Sequence, residues 1–134
     1  MKSLILLLAL FIAFSSNSFA GQKSLETIVT CEQHDDSDQW IQVGIVMNDG
    51  PGLRAIVVKH NYDDSSARLL FNDRVVEVIS DDNQSYYYEN VTNTFWLTVT
   101  NDSGEFSVLF DGPNSINQSN MDCFRNSEIT FDQN

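Results

Sequence analysis

The stretch Thr94-Phe95-Trp96-Leu97-Thr98-Val99-Thr100 changes side-chain character at every step, with Phe95, Leu97 and Val99 on one face and Trp96 on the other. Asn101-Asp102-Ser103-Gly104 interrupts it. Glu105 to Phe110 then resumes the alternation, with Phe106, Val108 and Phe110 set against Ser107 and Leu109. A period of two belongs to β-strands, because successive strand side chains point to opposite sides. The polar segment between the two runs is turn chemistry, in which Asn and Asp bond their own backbone and Gly accepts positive φ. Residues 94–110 therefore predict a β-hairpin.

The same pattern extends in both directions. Upstream, Ser85 to Val91 carries Tyr86, Tyr87 and Tyr88. Before it, Ala67 to Phe71 and Arg74 to Ser80 are separated by Asn72-Asp73, a gap that suits a tight hairpin although it lacks the preferred glycine. Trp40 to Met47 and Leu53 to His60 flank the strong breaker Asn48-Asp49-Gly50-Pro51-Gly52. The first run, Leu25 to Glu32, places Leu25, Thr27, Val29 and Cys31 on one face, and the last, around Met121 to Phe124, holds Cys123. No window shows a sustained helical period, and turn signals recur about every 8–12 residues. These features predict an all-β fold, a small antiparallel sandwich or barrel of about eight short strands with one disulfide. Ile56-Val57-Val58 and Val75-Val76 are apolar on both faces, which suits strands at the centre of two layers. The predicted organisation is a signal peptide over 1–20, one β domain over 21–125 and a loosely held tail over 126–134. Within that tail, Ile129 and Phe131 have the character of an edge strand.

The export signal rests on Lys2, the apolar run Leu4 to Phe14, and the small residues Ser18 and Ala20, which place cleavage after Ala20. The apolar run is shorter than the roughly 20 residues a membrane-spanning helix needs. No later segment is apolar enough to cross a membrane, so the mature product is expected to be secreted or periplasmic. In such a compartment Cys31 and Cys123, the chain's two cysteines, predict one disulfide joining the ends of the domain. In the chain-entropy model such a bridge is worth about 4–5 kcal/mol. The formal net charge is −12, and every acidic residue follows Ala20. That charge keeps the protein soluble and monomeric, opposes binding to nucleic acid, and favours a cationic partner.

Catalytic patterns are poorly represented. The two histidines, His34 and His60, read as a loop residue and a strand-end residue, and no G-x-S-x-G elbow accompanies them. Most carboxylates fall in turns, and Glu77 and Glu89, which fall in strands, are expected to face outward. Asp35, Asp36 and Asp38 cluster as calcium ligands would, but without the glycine and terminal glutamate of an EF-hand loop. No cofactor or metal is expected. Asn83, Asn90, Asn101 and Asn117 each begin a glycosylation acceptor pattern.

Aromatic residues mark the expected contact surface. Tyr86, Tyr88 and Trp96 are assigned to it, because exposed Tyr and Trp bury large area at small entropic cost. Asp35, Asp36 and Asp38 would steer a cationic protein toward it, and a glycan stacking on the rings is the other expected ligand class. In size, in the placement of Cys31 and Cys123, and in Phe95-Trp96 following a tyrosine-bearing strand, the chain resembles periplasmic lysozyme inhibitors of the MliC/PliC type. The resemblance implies a small exported β-barrel, and the acidity suits a cationic lysozyme. The family's inhibitory Ser-Gly-x-x-Tyr segment has no match here, so no functional residue is carried over. The expected function is a non-catalytic binding module, with lysozyme or protease inhibition, and more remotely carboxylate hydrolysis, as alternatives.

Overall fold

A computed structural model describes residues 21–33, 38–47, 52–81, 84–102 and 105–133. The expected signal segment lies outside them. The strands are β1 (Gln22–Glu26), β2 (Val29–Gln33), β3 (Gln39–Met47), β4 (Leu53–Asn61), β5 (Ser66–Ile79), β6 (Ser85–Glu89), β7 (Trp96–Asp102), β8 (Glu105–Asp111), β9 (Asn117–Ser119), β10 (Asp122–Arg125) and β11 (Glu128–Asp132). A single 3-10 turn, Pro113–Ser115, precedes β9. The fold is all-β and antiparallel, as the alternation predicts.

Nine strands form one sheet in the order β10-β2-β3-β4-β5-β6-β7-β8-β9, and β1 pairs with β11 in a separate ribbon. The two edge strands of the large sheet, β9 and β10, are consecutive in the chain, with Asn120 and Met121 between them. Asn120 takes a φ of 60°, a left-handed conformation that Asn tolerates better than most residues. Neighbouring in sequence, the edges must approach one another, so the sheet curls into a half-barrel and β10 reaches β8.

The disulfide secures this curl. Cys31 and Cys123 stand directly opposite each other on β2 and β10, with Cα atoms 4.1 Å apart. Inside the curve, Val43, Ile45, Val57, Leu97, Val99, Phe95 and Phe110 pack around the buried bridge. Beyond it the β2/β10 pair turns a corner. The Thr27 N–H donates to the Ser127 carbonyl and the Asn126 N–H to the Ile28 carbonyl. The pair then continues as β1/β11, folded over the outer face of β3, β4 and β5. There Ile129 and Phe131 meet Val46, Ile56, Val58 and Ala67 in a second buried cluster.

Three expectations are corrected. Leu25 to Glu32 falls in two strands, because the chain changes layer at Thr27 and Ile28. The segment expected to be loosely held contains strand β11 (Glu128–Asp132), in keeping with the strand character of Ile129 and Phe131, and Ile129 is fully buried. The hairpin at Asn72-Asp73 does not form: Asn72 pairs with Ile56 and Asp73 with Ala55 inside one 14-residue strand. A tight two-residue hairpin requires positive φ, which neither residue adopts. The reversal occurs earlier, where Ser65 takes φ 56° and the side chains of Asn61 and Asp64 accept the N–H groups of Asp63 and Ser66. β5 is instead bent by a bulge at Leu70, which has no partner between the pairs Val57–Phe71 and Val58–Leu69.

The expectation for Ile56-Val57-Val58 holds, since the curl covers one face and the ribbon the other. It fails at Val76, which is 55% exposed on the outside while Val75 is buried within.

The turn from β6 to β7 is built on Asn90. Its Oδ1 accepts the N–H groups of Thr94 and Phe95 at 2.9 and 3.0 Å. Its Nδ2 donates to Thr92 Oγ1 and Thr94 Oγ1, both at 2.8 Å. This side chain is buried and fully engaged, so it is closed to glycosylation in the folded protein. Asn90→Ala leaves two backbone donors without their acceptor and should cost about 2–4 kcal/mol. Denaturant unfolding of the oxidised protein checks this: a lower midpoint with unchanged slope is expected.

Candidate binding face

Strand register fixes which side chains share a surface. On the inner face, one row runs Glu77–Tyr88–Leu97–Phe110–Gln118 and the next runs Ile79–Tyr86–Val99–Val108. On the outer face, one row runs Val76–Glu89–Trp96–Asp111–Asn117 and the next runs Val78–Tyr87–Thr98–Leu109–Ser119. The ribbon covers the outer face only over β3 to β5.

The outer rows therefore leave an apolar and aromatic surface in solvent. Leu109 is 58% exposed, Trp96 is 37% exposed and Val76 stands beside them. Tyr87 and Trp96, diagonal neighbours on β6 and β7, stack with ring centroids 4.5 Å apart and planes inclined by 12°. The Trp96 indole N–H donates to Thr98 Oγ1 at 2.7 Å, which fixes the ring on the sheet. Glu89 and Asp111 flank Trp96 in its own row, one on each side. The arrangement is an apolar anchor bracketed by carboxylates.

The residues assigned to a contact surface from sequence are thus dispersed. Trp96 is on this face. Tyr86 and Tyr88 are on the inner one, and Tyr88, 4% exposed, packs in the core. Burial, and then its hydrogen bond to the Glu77 carboxylate, hold the Tyr88 hydroxyl well above its ordinary pKa. Glu77, expected to face outward, is exposed, although register puts it on the same side of the sheet as Tyr88, and Glu89 faces outward. Asp35 and Asp36 lie outside the described residues. Asp38 is exposed, and its carbonyl accepts the Tyr62 N–H at the ends of β3 and β4, four strands from Trp96. Its neighbourhood holds a second aromatic group, in which Trp40 stacks on His60 with centroids 3.8 Å apart and Tyr62 lies beyond. His60 Nε2 sits 2.9 Å from Gln42 Oε1.

Tyr87 is the residue that sequence reasoning passed over. The signal was present, since three consecutive tyrosines cannot share one face. Which parity faces out follows from the pairing of Tyr88 with Leu97, and that register is written in no single strand.

Comparison of the chain with protein-family models, curated proteins and solved structures finds no match.

Two outcomes follow from this placement. Trp96→Ala should change stability by less than about 1 kcal/mol, whereas Phe95→Ala, one residue away in the core, should cost about 3–5 kcal/mol. Thermal unfolding of the two variants reads the difference. Tyr88 holds its proton more tightly when folded, so the stability tied to its neutral form is present below pH 10.0, its ordinary value, and is lost as pH rises beyond it. Tyr88→Phe should flatten the alkaline fall of the unfolding midpoint.

Proposed function

We propose that the protein is a non-catalytic binding module of an oxidising, secreted or periplasmic compartment, and that it engages a basic protein through the outer face of β5 to β8. The observation that carries this reading is the outer-face stack of half-buried Tyr87 on exposed Trp96, on the same face as exposed Val76 and Leu109, with Glu89 and Asp111 on either side of Trp96. Scattered surface apolar residues are ordinary, whereas a contiguous group with a polar rim marks an interaction surface. The aliphatic members favour a protein over a glycan. The flanking carboxylates and the overall charge of −12 favour a cationic partner and fast, salt-sensitive association. The disulfide is compatible with an oxidising compartment.

Lysozyme, a basic protein, is the first partner to test, because inhibiting it is the specific form of this function suggested by the resemblance in size, charge and disulfide placement. Lysis of cell wall by several lysozyme types is measured with and without the oxidised mature protein, at low and high salt. Inhibition that falls with salt and weakens about tenfold or more in Trp96→Ala is the expected result. Quenching of Trp96 fluorescence by soluble cell-wall oligosaccharides, with no binding to lysozyme or to a panel of other basic proteins, overturns the protein-partner reading in favour of a glycan.

A further inference from the structure

The inner face contributes a second feature. A cavity of about 110 Å³ opens between β2, β5, β6, β7, β8 and β10. Its floor is apolar and includes Val99. Tyr86 and Phe106 form aromatic walls, and Glu77 and the Tyr88 hydroxyl supply the polar lining. Arg125, exposed on the four-residue strand β10, places its guanidinium carbon 5.9 Å from the centroid of the Tyr86 ring.

Each wall suits a cation with an apolar stem. The ring quadrupole attracts positive charge at its face. A carboxylate already oriented by a phenolic hydrogen bond offers its remaining lone pairs. The apolar floor suits the methylene stem of a long basic side chain. Arg125 already sets a guanidinium over the Tyr86 face, from the edge strand β10.

We propose that this cavity is an anchoring pocket for one lysine or arginine side chain of a basic partner, and that Arg125 is a resident competitor for it. The proposal deepens the reading of the domain as a binding module for a cationic protein and rests on it for biological meaning. The chemistry of the pocket is separable from the outer face. The competitor role gives the two charged residues opposite signs: Glu77 favours the incoming cation and Arg125 opposes it. A pocket for a zwitterion or an anion would need Arg125 as a partner, and its removal would then weaken binding.

The test is a titration of the isotope-labelled, oxidised mature protein with N-acetyl-L-arginine amide, followed by NMR, with N-acetyl-L-glutamate as the anionic control. The cation is expected to shift the signals of Tyr86, Phe106 and Val99. Glu77→Gln should weaken its binding about tenfold, and Arg125→Ala should strengthen it about 3- to 10-fold. The methyl signals of Val57 and Leu97, deep in the core, report that each variant is folded. Three results overturn the proposal: no shift at up to about 50 mM cation, weaker binding in Arg125→Ala, or a stronger response to the glutamate control. Trp96→Ala must leave this titration unchanged, so failure of the pocket and failure of the outer face are read independently.

Discussion

The pairing of β10 with β2 is the constraint on which the rest depends. β9 and β10 contribute three and four residues, lengths at which a strand is weakly held by its ladder alone. One of them must nonetheless return to the far side of an eight-strand meander for the sheet to curl. The bridge between Cys31 and Cys123 makes that return permanent, because it joins residues already opposite in register across 92 positions of sequence. The chain that would have to be searched to bring these strands together is restricted before folding begins, which is where a disulfide acts most strongly. Every inner-face contact, from Val43 to Phe110, presupposes that closure.

From the same pair comes the second layer. The corner at Thr27 and Asn126 lets the two bridged strands fold back as β1 and β11, so one structural unit both closes the curl and covers its exterior over β3 to β5. Gly44 shows how closely the layers approach. A Cβ at that position would stand 3.1 Å from Ile129 Cδ1 and 3.1 Å from Thr27 Cγ2. β5 pairs with β4 from Ser66 to Val75, on both sides of the bulge at Leu70, and with β6 from Val76 onward, where its outer side chains, Val76 and Val78, enter the uncovered surface. The location of the uncovered surface is thus a by-product of how far a five-residue ribbon extends.

Strand character was legible throughout the chain because it is a local property. The alternation in 94–110 specifies β7 and β8, and the two-sided apolar run at 56–58 specifies that something covers β4. What could not be read was set by distant partners. Nothing near Asn72-Asp73 states that Ile56 and Ala55 will pair with it and hold the strand straight through. The tail looked too polar to be held, because half of β11 faces outward and its burial comes from Val46, Ile56 and Ala67 far upstream. The side chains assigned to one contact surface lie on different faces for the same reason. The composition of Tyr86-Tyr87-Tyr88 announces a mixed face, but parity is fixed only by register against β5 and β7. The acidic loop near Asp38 was grouped with Trp96 on charge alone, and the sheet order separates them.

The β1/β11 ribbon also brings the ends of the described chain together. The Gln133 N–H donates to the Gly21 carbonyl at 2.8 Å, so the first and last described residues are hydrogen-bonded neighbours. A fusion partner joined at Gly21 or at Gln133 would attach at one spot on the ribbon. The same closeness makes the domain a natural insert: a few linking residues at each end would allow it to be spliced into a loop of another protein without opening its sheet.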